Sequence, residues 1–158
     1  MIKVTSHLLS HLSDMAKEAV RKRQNHNFHT KDSDPLQRML NALESSTYVR
    51  PHKHVSPDKR EAFIILRGKV AVVEFDDNGK IIDKIILCPE LGNYCADIVP
   101  SYWHTVISLE DNSVYYEVKD GPYDPIKDKV FAEWAPDEES SEATGYLDLL
   151  KSKIVVDK

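Results

Sequence analysis

The sequence predicts a mainly β domain, an antiparallel sandwich or barrel preceded by N-terminal helices. Three observations carry this. From residue 47 onward, seven short segments rich in β-branched and aromatic residues follow one another. Turn signals separate them and no helical pattern falls between them, which argues against alternating strand–helix units. The first 45 residues instead space their apolar side chains three and four apart.

Taken in order, Val4, Leu8, Leu12, Met15 and Ala19 form the apolar stripe of a first helix, capped by Thr5 or Ser6. The cations of "RKR", residues 21–23, suit its solvated C-terminal end. "NHNFH", residues 25–29, breaks the period, and its His26 and His29 are expected to tie the arm to the barrel by hydrogen bonds. Asp34-Pro35 then opens a second helix over residues 35–44, "PLQRMLNALE". The strands follow as "TYVRP", "EAFIILRG", "KVAVVEF", "KIIDKIILC", "NYCADIV", "HTVISL" and "SVYYEVK". Asn78-Gly79 in "FDDNGKI" has the signature of a type I′ hairpin. "APDEESSEATG" reads as an acidic surface loop and "YLDLLKSKI" as a last short helix. One globular domain results: a helical arm (1–45), a β-barrel (46–135), and an acidic loop with a short helix (136–158).

A chain of 158 residues is long enough for one proper core. A net charge of -5 with no basic stripe argues against nucleic-acid binding. No apolar run approaches the roughly 18–20 residues that cross a membrane, and the N-terminal segment lacks a secretory core. Cys88 and Cys95 are the two cysteines and no CxxC occurs, so reduced thiols in a cytoplasmic setting are expected.

The chemistry concentrates in "YVRPHKHVSPDKREAFIILRG", residues 48–68. Residues i and i+2 of a strand share a face, so His52 and His54 aim both imidazoles one way. Pro51 biases Arg50 towards extended geometry. Glu61 opens the next strand and returns opposite the histidines if the two pair antiparallel. His104, after the Pro100-Ser101 turn, completes the set if the sheet closes on itself as a jelly roll does. Three imidazoles and a carboxylate suit one divalent transition metal: Fe, Zn, Mn, Ni or Co. His7 and His11 sit four apart on the first helix without a third ligand, and are expected to be surface residues.

Parity also sorts the neighbours. Lys53 points opposite to the histidines, whereas Arg50, Tyr48 and Tyr102 share their side. Arg50 is therefore the leading contact for an anionic substrate, with Tyr48 and Tyr102 lining the cavity. Arg60, Arg67 and Lys119 are further cations near the motif, while Tyr115 and Glu117 share one face of their strand. With Glu61 used as a ligand, a general base must come from elsewhere. Tyr48, Tyr102 and His29 are the candidates.

The order HxH, Glu, Gly, then Pro and His resembles the two cupin motifs, here His52, His54, Glu61, Gly68, Pro100 and His104. The interval from His54 to Glu61 is longer than the usual form, and the second motif lacks its glycine. A narrower resemblance covers nearly the whole chain. "NHNFH", "DPLQRMLNAL", "TYVRPHKH", "EVKDGPYDP" and "EWAPDE" are similar to the WbuC-type cupin-fold metalloproteins, a bacterial family linked by name to O-antigen gene clusters. The resemblance implies a single cupin jelly-roll (double-stranded β-helix) barrel holding one metal. It implies no particular reaction.

The leading expectation is a metalloprotein acting on a small molecule, carbohydrate-derived or anionic, as a metal-dependent isomerase or epimerase or as an oxygenase-type cupin. The alternatives are a non-catalytic metal- or sugar-binding module and a metal-free sugar-nucleotide epimerase. Exposed strand edges make a homodimer a further expectation.

Overall fold

The computed structural model of the protein describes residues 1–155; the last three residues of the segment 136–158 lie outside the described residues. Helix α1 (Ser6–Glu18) leads into strands β1 (Arg23–Asn27) and β2 (Leu36–Leu43). Then come β3 (His52–Lys53), β4 (Glu61–Arg67), β5 (Val70–Phe75), β6 (Ile81–Leu87) and β7 (Cys95–Ile98). Strands β8 (Trp103–Ser108), β9 (Ser113–Asp120) and β10 (Val130–Phe131) and helix α2 (Ala143–Val155) complete the order.

The strands form two five-stranded antiparallel sheets, ordered β1-β2-β9-β4-β7 and β10-β3-β8-β5-β6. This is the jelly-roll arrangement, in which the chain crosses repeatedly between sheets, β1-β2 and β5-β6 being the hairpins that stay within one. Period-2 alternation in β4 turns Glu61, Phe63 and Ile65 inward. Phe63 and Ile65 meet Val70, Val72, Val106 and Tyr115 in the core between the sheets.

Each sheet also has its outer face covered. Helix α1 lays Leu9, Leu12 and Ala16 on Leu40, Ala42 and Val114. Helix α2 lays Leu147, Leu150 and Ile154 on Ala71, Val73, Phe75 and Ile107. Burying one such leucine contributes about 1.5–3 kcal/mol.

Four expectations are corrected. Residues 35–44 are not a second helix: β2 pairs along its whole length with β9 and along most of it with β1. Leu, Gln, Arg, Met and Ala favour helix locally, but pairing on both edges and packing on both faces override that preference. "NHNFH" is largely strand β1, not irregular. The stripe of α1 is Leu9, Leu12, Ser13 and Ala16, while Val4 and Met15 are exposed. Small Ser13 and Ala16 let the helix approach the sheet, and Arg67 donates to the Leu9 carbonyl and reaches Ser13. Thr5 is its N-cap, accepting from the Leu8 N–H.

The fourth concerns the hairpin at Asn78-Gly79. The Gly79 N–H donates to the Asp76 carbonyl, and φ is positive at Gly79 but not at Asn78. A type I′ turn requires positive φ at both central residues, so this is a type I turn closed by a left-handed glycine. A Cβ at Gly79 would also sit 2.7 Å from the Trp134 ring.

Candidate metal centre

The two sheets converge at one end of the barrel. On one side β3 and β8 pair His52 directly opposite His104. His54 follows with the same parity, and Glu61, the first residue of β4, faces them from the other sheet. One potential ligand atom from each of the four lies within 4.8 Å of all the others. All four are at least 95% buried; His52, the most accessible, is 5% exposed.

Ring orientation is set by the backbone. His52 Nδ1 lies 3.0 Å from the Arg50 carbonyl and His104 Nδ1 3.0 Å from the Tyr102 carbonyl, while His54 Nδ1 meets the Asp128 carbonyl. Donation from each Nδ1–H leaves the Nε2 lone pair free, the arrangement that orients metal-binding histidines. His104 Nε2 reaches Glu61 Oε2 at 2.9 Å. His54 Nε2 lies 3.3 Å from Glu61 Oε1 but is buried without a hydrogen-bond partner. Leaving such an atom unsatisfied costs about 1–3 kcal/mol. A cation among the four side chains would satisfy it, and the donor set is the mixed N/O kind that divalent transition metals take.

Electrostatics fit the same reading. Burial, then Lys129 and His104, holds the His52 imidazole well below its ordinary pKa, so it stays neutral. Burial works against ionisation of Glu61, yet the His104 and His54 imidazoles hold it well below the usual carboxylate range. Asp128, itself buried, ion-pairs Lys119 at 2.7 Å and also Lys59. Lys119 stands 3.7 Å from Glu61. Burial alone would lower the Lys119 ammonium; Glu61, Glu117 and Asp128 more than reverse that. Burial, together with the Glu61 charge, pushes Glu117 up to about 7, and Asn41 donates to it at 2.8 Å.

Beside the centre lies an open cavity of about 1150 Å³, and Glu117, Lys119 and Asp128 belong to its wall. Strands β1 and β2 supply a second wall of amides. The structure places the remaining predicted residues as follows. Arg50 lines the cavity, but its guanidinium donates to the Ala132 carbonyl at 2.8 Å and pairs with Asp137. His29 lines it too, its Nδ1 accepting from the Arg38 N–H at 3.2 Å.

The two tyrosines require correction. Tyr48 packs against α2, with its hydroxyl donating to the Pro136 carbonyl, and burial raises it above the ordinary tyrosine range. The chain at 48–51 is not in a ladder, so strand parity does not carry back from His52 to Tyr48. Tyr102 is 44% exposed and outside the cavity wall, because Ser101 beside it turns with positive φ. Nor is "RKR" a solvated helix end. The helix stops at Glu18, and Arg21 and Arg23 line the cavity mouth, both facing Glu138.

Lys53 does point away, 4.2 Å over the Trp103 ring. Tyr115, Glu117 and Lys119 face inward; the sequence left the inner face of this strand open, because both of its faces carry apolar and aromatic residues. Asp128, Lys59 and Lys129 carried no sequence signal, since they lie outside the regular strands.

A jelly roll with three imidazoles and a carboxylate converging inside it is a cupin-type barrel. The chain belongs to the family described as a domain of unknown function, DUF6016, whose model matches residues 4–87. Among curated proteins none matches it in sequence. Three solved structures give the likeness in fold. The capsular polysaccharide assembling protein CapF from Staphylococcus aureus aligns at TM-score 0.57 and 22% identity, over 69% of this chain. The alignment spans only 29% of CapF. A cupin 2 domain-containing protein from Halorhodospira halophila aligns at TM-score 0.50 and 14% identity, over 86% of this chain and 83% of that one. The DMSP lyases RdDddP and RnDddQII give TM-score 0.54 and 10% identity, over 73% and 55%. CapF has also been solved with the inhibitor 3-isopropenyl-tropolone. Among the described residues no helix is long and apolar enough to cross a membrane.

Proposed function

We propose that this protein is a small metalloprotein of the WbuC type, holding one divalent transition metal through His52, His54, Glu61 and His104 and acting on a sugar-derived small molecule. The observation that carries the metal is the buried, unpartnered His54 Nε2 among three other donors within 4.8 Å. A metal there supplies Lewis-acid polarisation of a carbonyl or hydroxyl, or activation of water. Four protein donors leave positions for substrate on a six-coordinate ion.

This chain's own residues do the rest. The backbone carbonyls of Arg50, Tyr102 and Asp128 fix the three rings, and Lys119 sets the charge around Glu61. The adjacent cavity receives the small molecule. The sugar is supported by the O-antigen resemblance and by the printed description of CapF as a polysaccharide assembling protein. Isomerisation or epimerisation of a sugar derivative suits such a site. A non-catalytic binding module would use the same residues.

The test is elemental analysis of protein purified without added metal. Wild type is expected to carry roughly one equivalent, and His52→Ala and His104→Ala far less. Equal metal content in all three rejects the ligand set, and metal-free wild type rejects the metalloprotein. Chelation of loaded protein is expected to lower Tm, because the ion binds only the folded chain.

A further inference from the structure

The arginines of the cavity wall and its Lys119 are each paired with a carboxylate. Arg23 meets Glu138 at 2.5 Å and Arg21 meets it at 3.7 Å, while Arg50 pairs with Asp137 and Lys119 with Asp128. Lys129 is different. It lines the same cavity, yet no carboxylate pairs with it among the described residues. It stands between Asp128, whose carbonyl meets His54 Nδ1, and β10, whose Phe131 lies opposite His52, so it borders the metal centre. The residue is exposed, although the surrounding protein lowers its pKa, and an unpaired lysine so placed is a ready partner for an incoming anion.

The opposite wall has another chemistry. Asn25 and Asn41 are register partners on β1 and β2, and Asn27 extends the same cavity-facing row. Carboxamides donate and accept at once, as hydroxyl groups do, so a row of them suits a polyhydroxylated ligand. Tyr123 and Phe131 add aromatic faces for the apolar side of a sugar ring. The volume of about 1150 Å³ exceeds the roughly 300–1,000 Å³ usual for small-molecule sites. It admits more than one ring.

We infer that the cavity takes an acidic saccharide of two or more rings, its carboxylate or phosphate on Lys129 beside the metal centre and its hydroxyls along the amides of β1 and β2. This rests on the small-molecule reading above and adds the ligand class, its orientation and its anchor. A lysine is a point charge without fork geometry, so carboxylate and phosphate are one chemistry here.

Calorimetric titration of metal-loaded protein tests it, with cellobiuronic acid, lactose 1-phosphate and neutral cellobiose as probes. Wild type is expected to bind at least one acidic probe more tightly than cellobiose. Lys129→Met, which keeps the stem, should lose roughly ten-fold or more for that probe and nothing for cellobiose. Lys129→Arg should restore it. The double variant Asn25→Ala/Asn27→Ala should weaken acidic and neutral probes alike. Which acidic probe binds tells carboxylate from phosphate. Equal affinity of Lys129→Met and wild type overturns the inference, as does failure of both acidic probes to bind wild type. Metal content measured on the same samples separates either failure from loss of the metal centre, and unchanged Tm shows that the variants fold.

Discussion

The Nδ1 of His54 meets the backbone carbonyl of Asp128, 74 residues further along the chain. The Asp128 carboxylate meanwhile gathers the buried ammonium groups of Lys59 and Lys119. One residue from an irregular segment thus orients a candidate ligand and neutralises the charges beneath it.

Asp128→Asn is expected to destabilise the metal-free protein by about 3–5 kcal/mol, because buried Lys59 loses its carboxylate and Lys119 keeps only the more distant Glu61 and Glu117. Urea unfolding measures this. Metal stoichiometry should survive below the transition, since the carbonyl that holds His54 is untouched. A loss under about 1 kcal/mol would mean that solvent screens the cluster.

Glu117 gives a pH prediction. Its folded pKa is raised to about 7, against about 4.3 for an unfolded glutamate. The folded state therefore holds the extra proton between these values, and stability from this group falls as pH rises through that window. Glu117→Gln lacks the decline. In metal-free protein, the stability of the variant relative to wild type should rise from pH 5 to pH 8. A constant difference across that range would contradict the raised value.

Gly68 and Gly92 share φ of +76°, yet only Gly68 abuts another strand. A Cβ there would lie 2.8 Å from Ser113 Cα, whereas nothing lies within 4 Å at Gly92. Gly92→Ala should cost about 1–2 kcal/mol from backbone strain alone. Gly68→Ala should cost clearly more. Equal losses in chemical denaturation would show that the approach to Ser113 relaxes freely.

Local sequence was sufficient for the strands from β4 to β9, because most of them bury a face with β-branched or aromatic residues between turn residues; in short β7 only Ile98 is buried. It was sufficient also for naming His52, His54, Glu61 and His104, but not for how they meet. Strands β3 and β4 do not pair, so Glu61 faces the histidines across the barrel from the other sheet, and His104 arrives through the pairing of β8 with β3. It misled at β2, where helix-forming residues are held extended by β9 on one edge and β1 on the other. It misled at Tyr48 and Tyr102 as well, because parity counts only within a ladder, and both lie outside one.

Alone, then, the sequence determined a β-barrel and its candidate ligand set. Only the tertiary structure decided that β1 and β2 extend one sheet into an amide-lined wall and that Asp128 closes the site from a distant loop. It alone revealed Lys129 as a cavity cation with no carboxylate pairing it among the described residues. The physical reason is range. Parity and propensity act over a few residues, whereas cavity walls and charge partners are chosen by contacts between segments far apart in the chain.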